Sequence, residues 1–290
     1  MQLADFLSAV FFYLKVGENL NQNWIVENLN NAFSTWNGKL GELWGLVTTG
    51  PQTFKGGAVW SVMQTLHNGM VGIGYALVVL FFAISLCKNT MNFHELKRPE
   101  AAIHYFLRFV AGYGMDIMLN VFSICNGIVT DMADSMGGIS EAMVSLPAEM
   151  QTAIENVGFL ASIPLWLVTI LGSLFITVLS FVMILTVYGR FFRLYMYTAL
   201  APLPLAAFAG ESTQSVGISF LKSYVGVCLE GAVIVLACVI YSAFVGTPTV
   251  TGGEATTIVW SYLAETVFNM LVLVGLIKGS DRIIHEMMGL

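Results

Sequence analysis

Long apolar stretches alternate with short polar connections along most of the chain. A bilayer core is about 30 Å thick, and roughly 20 apolar helical residues are needed to cross it. Five segments reach this length and predict transmembrane helices: residues 69–87, about 105–129, a stretch within 156–189, 225–244 and 258–277. The pattern therefore predicts an all-α fold, a polytopic membrane helix bundle with about five transmembrane helices.

A sixth apolar segment, residues 194–210, contains Pro202 and Pro204. Each proline removes a backbone donor, and a helix interrupted in this way is tolerated at membrane depth only where protein or water covers it. We therefore expect a proline-broken segment that enters and returns, or lies along the membrane face. The alternative is an ordinary kinked sixth span.

The distribution of charge orients the spans. The linker after the first span carries Lys97 and Arg98, a cytoplasmic basic belt, whereas residues 130–155 contain five acidic residues and no Lys or Arg. Short cytoplasmic loops are rich in Lys and Arg, so the acidic loop is expected outside. Arg190 and Arg193 then return the chain to the cytoplasm. This orientation predicts a bundle over residues 58–290, with the N-terminus outside and a short cytoplasmic C-terminus.

Residues 1–57 are expected to form an extracytoplasmic region of amphipathic helix. Apolar side chains recur there on one helical face: Ile25, Leu29, Phe33, Trp36, Leu40, Leu43 and Val47. Such a face fits the outer leaflet or a partner subunit. It equally fits a helical hairpin that packs on the bundle.

Composition excludes most soluble classes of protein. Of the 290 residues, 57% are hydrophobic and only 10% are charged, whereas soluble domains carry about 25% charged residues. His94 and His285 are each followed by Glu, as in zinc-protease helices, but neither has the second His of that motif. We therefore expect no enzyme, no metal site and no cofactor. The four cysteines lie in apolar runs and are expected to be core residues.

Three acidic residues lie within predicted spans, namely Asp116, Glu230 and Glu265. A charge at mid-bilayer costs roughly 2.5–3.5 kcal/mol on insertion scales, so each should face protein or water. They are candidates for a conduit or for contacts inside the membrane. The alternative is a purely structural role as neutral carboxyls, or in ion pairs such as Asp116 with Arg108.

The sequence also resembles a known family. A long span ends in arginines and continues into an Ala-Pro segment in "YGRFFRLYMYTALAPLPLAAFAG", and "FLKSYVGVCLEGAVIVLACVIYSAF" follows it. With the predicted arrangement of spans, these stretches resemble the TrbL-type conjugal transfer proteins, which are polytopic inner-membrane subunits of type IV secretion systems. The resemblance covers residues 58–280.

This resemblance implies a non-enzymatic channel or platform subunit in the bacterial cytoplasmic membrane. Its partners would be other secretion-channel subunits, membrane-associated ATPases, further copies of the chain as a homo-oligomer, and, transiently, the translocated DNA or protein. Arg190, Arg193, Pro202 and Pro204 would then serve assembly or gating. The alternative function is an autonomous small-solute or ion transporter, for which broken helices and intramembrane acids are also typical.

Overall fold

The computed structural model describes residues 2–88, 114–135, 143–245 and 255–289, and these residues are almost entirely helical. Eight α-helices occur in this part of the chain: α1 (Gln2–Thr48), α2 (Ala58–Lys88), α3 (Gly114–Ser135), α4 (Ala148–Glu155), α5 (Phe159–Leu200), α6 (Pro202–Ala206), α7 (Gln214–Phe244) and α8 (Ala255–Met288). Short 3₁₀ turns at Phe54–Gly57 and Ala207–Ala209 join some of them. No strand is present in the described ranges, which confirms the all-α prediction.

Four of these helices are long and apolar enough to cross a membrane: Phe54–Ser85, Ser162–Leu200, Gln214–Phe244 and Thr256–Met288. They match four of the five predicted spans. The remaining predicted span, residues 105–129, lies partly outside the described residues, and its described part belongs to α3. The polytopic membrane bundle is thus confirmed.

α1 is a single helix from Gln2 to Thr48, so the structure does not contain the helical hairpin, which was one of the two alternatives for this region. The predicted apolar face is correct, since all seven of its side chains are buried: Ile25, Leu29, Phe33, Trp36, Leu40, Leu43 and Val47. Their spacing of three or four residues keeps them on one side of the helix. This face packs within the chain.

The proline segment connects two antiparallel helices. α5 continues through Leu200, so the first half of the predicted segment belongs to the span before it. Pro202 begins α6, a position where the missing N–H would have no intrahelical partner in any case. The chain then reverses at Gly210–Thr213, where the Thr213 hydroxyl donates to the carbonyl of Ala207 at 2.8 Å.

This connection is too short to be a crossing of its own. Residues 201–213 separate α5 from α7, fewer than the roughly 20 that a span requires. Tyr197 on α5 lies 5.5 Å from Phe220 on α7, and Arg190 bonds to Val227, as expected of antiparallel neighbours. α2 covers the connection, since a Cβ added at Gly210 would lie 3.0 Å from the Phe81 carbonyl oxygen. The broken backbone is therefore shielded by protein, as the prolines predicted.

The chain divides into two compact units. The first contains Met1–Trp44, Gly138–Leu185 and Ala237–Lys278, and the second contains Gly45–Gly137, Thr186–Leu236 and Gly279–Leu290. In the first unit, α1 runs beside α5, and Asn37 exchanges hydrogen bonds with the backbone of Val144 at 2.8 and 2.9 Å. The second unit holds most of the predicted site residues.

Candidate functional site

A group of charged and polar side chains lies in the second unit where α5, α7 and α8 meet, with Arg190, Glu230 and Ser280 buried and Arg193 and Asp281 partly exposed. We call it the arginine–carboxylate cluster, and it consists of Arg190, Arg193, Glu230, Ser280 and Asp281. Two arginines face two carboxylates, so their formal charges balance. Such balance is required when charges leave water, because an unpaired buried charge is costly.

Arg190 is fully buried, and all three of its described hydrogen bonds go to backbone carbonyls. Its Nε and Nη2 donate to the carbonyls of Val227 and Cys228 at 3.2 and 3.0 Å, and its Nη1 donates to the carbonyl of Val47 at 3.2 Å. Val47 belongs to the last turn of α1, whose carbonyls lack helical N–H partners and carry the negative end of the helix dipole. Arg190 therefore caps α1 and fastens it to α7.

Gly231 makes room for this guanidinium. A Cβ added at Gly231 would lie 2.8 to 2.9 Å from the Nη1, Cζ and Nη2 atoms of Arg190. Real Cβ atoms do not approach that closely, so any larger residue would push the planar guanidinium off the two carbonyls of α7. Gly231 is therefore important because its lack of a side chain leaves room for the Arg190 guanidinium.

Arg193 connects three helices. Its Nη2 donates to both carboxylate oxygens of Glu230 at 2.8 and 2.7 Å, and its Nη1 donates to Asp281 on α8. The Ser280 hydroxyl adds a donor to Glu230 at 3.2 Å. Glu230 is only 1% exposed, so these donors replace the water that its carboxylate has lost.

Aromatic side chains hold the turn after α1 against the same stretch of α5. Phe54 stacks on Phe191 with ring centroids 4.1 Å apart, and the Tyr195 hydroxyl donates to the carbonyl of Pro51 at 2.9 Å. Lys55 has a positive φ of 48° and places its ammonium 5.0 Å from the Tyr188 ring centroid. The turn and the end of α1 are therefore fixed at the level of Arg190.

These contacts bear on the predicted topology. The charge pattern puts residues 1–57 outside and the proline connection inside. α2 extends between these two levels, since Phe54 just before it stacks on Phe191 and Phe81 near its end lies at Gly210. Arg190 is buried beside Val47 at the level where α1 ends and α2 begins.

Two further buried hydrogen bonds attach α2 to α5 and α3 to α7. His67 Nδ1 lies 2.7 Å from the carbonyl of Thr198, and the Tyr224 hydroxyl donates to the carbonyl of Met118 at 2.9 Å. Each joins a side chain of one helix to the backbone of another. They keep the helices around the cluster in register.

The predicted site residues separate into four sets. Arg190, Arg193 and Glu230, which the sequence placed in two different groups, come together. Asp116 and Glu265 lie elsewhere on exposed faces of α3 and α8. Pro202 is buried and Pro204 half-buried in α6. Lys97, Arg98 and Arg108 lie outside the described residues.

Sequence reasoning missed Asp281, Ser280 and Gly231. Asp281 follows the apolar part of its helix and has no feature that distinguishes it from a solvated carboxylate. Gly231 resembles any small residue in a span. The adjacency of Gly231 to the buried acid Glu230 was the one available signal.

The cluster offers hydrogen bonds and charge but no group arranged for covalent chemistry. Across the described part of the chain, no three His, Cys, Asp or Glu side chains are grouped to hold a metal ion. Three of the four cysteines are buried, as predicted, whereas Cys87 is exposed. The arrangement is suited to holding helices together.

Comparison with known protein families identifies the family of this chain. The model of the TrbL/VirB6 plasmid conjugal transfer like protein family matches residues 36–202, more than half of the chain. The chain belongs to this family. The match contains the end of α1, the turn with Phe54, and α5 with both arginines, while residues 203–280 of the predicted resemblance fall outside it. No curated protein and no solved structure matches the chain.

Proposed function

We propose that this TrbL/VirB6 family member is a non-enzymatic channel or platform subunit of a type IV secretion machine that moves DNA or protein across the cytoplasmic membrane. The observation that carries the proposal is the family match over residues 36–202, together with four helices able to span a bilayer. Its partners would be other channel subunits, membrane-associated ATPases and further copies of the chain.

The test is deletion of the gene from its conjugative element, followed by complementation. Transfer frequency should fall to the background of a transfer-deficient element and return with the intact gene. Purification from native membranes should recover secretion ATPases and channel subunits. Normal transfer after deletion, or recovery of the chain alone from membranes that contain those ATPases, would favour the autonomous transporter instead.

Within this function we assign the arginine–carboxylate cluster to assembly. Arg190 holds α1 to α7, and Arg193 holds α5 to α7 and α8, so the cluster fixes the relative positions of four helices. Glu230 belongs with this role, because its carboxylate is buried and engaged. Asp116 and Glu265 are exposed and remain the candidates for a conduit.

We infer that the N-terminus lies outside and the C-terminus inside. In the second unit, α2 runs in the same direction as the end of α5, since Phe54 stacks on Phe191 and Phe81 lies at Gly210. The turn at residues 51–57 and the proline connection therefore lie at opposite ends of α2. Basic residues mark the cytoplasmic side, so the proline connection and the C-terminus are inside and the turn at residues 51–57 is outside.

Accessibility of Lys55→Cys tests this orientation. In cells that carry the Cys87→Ser chain, a membrane-impermeant maleimide should label the new cysteine without permeabilisation. Labelling only after permeabilisation would place the turn at residues 51–57 on the cytoplasmic side.

A further inference from the structure

Two of the buried cysteines meet across a pair of helices in the second unit. Cys125 on α3 is 5% exposed and Cys228 on α7 is fully buried, and their thiols are hydrogen-bonded to each other. Both are free cysteines in the structure. A thiol is a weak donor and a weak acceptor, so this hydrogen bond adds little to the packing of the two helices. It does place two sulfur atoms within reach of each other.

Neighbouring contacts hold the two cysteines in position. The Tyr224 hydroxyl, one turn before Cys228, donates to the carbonyl of Met118 on α3 at 2.9 Å. Arg190 donates to the carbonyl of Cys228 itself at 3.0 Å. A disulfide requires the sulfur atoms to approach to about 2.05 Å, and a cysteine adjusts its sulfur by rotation about a single side-chain bond. Because the helices are fixed, the two thiols are arranged for one bond within the chain.

The cysteine pair lies at the level where α1 ends. Asn126, the residue after Cys125, donates to the carbonyl of Thr48 at 3.1 Å, and Thr48 is the last residue of α1. The turn at residues 51–57 follows directly, and it is outside in the orientation inferred above. Disulfides form and persist in oxidising compartments such as the extracytoplasmic side of a bacterial membrane. The pair is therefore on the side of the membrane where its oxidation is favoured.

We propose that Cys125 and Cys228 are oxidised to a disulfide that fastens α3 to α7. The oxidant is a disulfide-bonded thiol oxidase on the extracytoplasmic side. One cysteine thiolate attacks the disulfide of the oxidant to form a mixed disulfide, and the second thiolate then displaces the oxidant. The two electrons and two protons lost by the cysteines end on the two thiols of the reduced oxidant. The proposal rests on the proposed function only through the orientation of the chain.

Burial determines when this bond forms. A protein oxidant does not reach sulfur atoms that are at most 5% exposed, so the exchange takes place while α7 is packing against α3. The same packing then shields the bond from water-soluble reductants. It joins residues about 100 positions apart, and closing so long a loop constrains the unfolded chain strongly. The disulfide thus marks the copies in which the two helices have met.

Counting oxidised thiols in native membranes tests the proposal. Cells that carry the Cys87→Ser chain are quenched with acid, and free thiols are blocked with N-ethylmaleimide under denaturing conditions. Disulfides are then reduced and coupled to a polyethylene glycol maleimide. The chain should gain two polymer groups on an immunoblot, and none when Cys228→Ser is added. Cys238→Ser is the matched control and should keep both groups, because Cys238 lies ten residues, about 15 Å, from Cys228 along α7.

Two results would overturn the proposal. The Cys87→Ser chain could gain no polymer group, or it could still gain two groups in the presence of Cys228→Ser. If Cys228→Ser lowers the amount of protein, Cys125→Ala carries the same comparison, and the count on the Cys87→Ser chain needs neither variant. The proposed function fails separately, since transfer after gene deletion does not depend on the thiol count.

Discussion

Gly231 shows how a residue without a side chain can determine the position of another. Replacing it with Ala should displace the Arg190 guanidinium and lower stability by about 1–3 kcal/mol, as overpacking of a close-fitted interior does. The measurement is the midpoint of thermal unfolding of the detergent-purified protein. Gly275→Ala is the matched control, because a Cβ there meets nothing within 4 Å and a helical glycine gains from alanine. Equal midpoints for the two variants would contradict the role of Gly231.

The pairing of Arg193 with Glu230 predicts an asymmetric response to mutation. Arg193→Ala leaves a buried carboxylate without its main donor and should cost about 3–5 kcal/mol, the range for breaking a buried pair. Arg193→Met combined with Glu230→Leu removes both charges and should recover much of that loss. A double-mutant cycle on unfolding midpoints measures the difference. A double variant as unstable as the sum of its single variants would show that the two groups are not coupled.

At the scale of elements, the proline connection predicts the side on which α5 and α7 are joined. Glu211 is exposed at the reversal, so Glu211→Cys in the Cys87→Ser chain should be labelled by an impermeant maleimide from the cytoplasmic side. A full crossing by residues 194–210 would put the same cysteine outside. Labelling of intact cells would therefore restore the kinked sixth span and invert the helices that follow.

The sequence predicts the faces of helices better than their partners. The seven apolar residues of α1 follow helical periodicity, and periodicity depends only on the residues of that helix. The sequence, by contrast, places Arg190 and Glu230 in separate groups of candidate residues. They come together in one cluster only because the connection after α5 reverses the chain into the antiparallel helix α7. The reversal at Gly210 sets that register, and residues distant in sequence then meet through packing alone.

For the whole molecule, the two kinds of acidic residue should behave differently in transfer. Asp116→Asn and Glu265→Gln change exposed carboxylates, so the protein should accumulate and assemble normally while transfer frequency falls if these side chains line a conduit. Glu230→Gln should lower abundance first, because it weakens contacts with Arg193 and Ser280. Quantitative immunoblots beside mating assays separate the two effects. Normal transfer in the Asp116 and Glu265 variants would remove both residues from the conduit.

The cap that Arg190 places on α1 also has a consequence for biogenesis. The capped carbonyl at Val47 and the donor are 143 residues apart, so α1 leaves the ribosome long before its clamp exists. At about 5–20 residues per second, this interval lasts roughly 7–30 s. During that time, the apolar stripe of the nascent helix has to be shielded by the insertion machinery or by lipid. A chain truncated before α5 lacks Arg190, so the apolar stripe of its α1 would stay with the insertion machinery or the lipid.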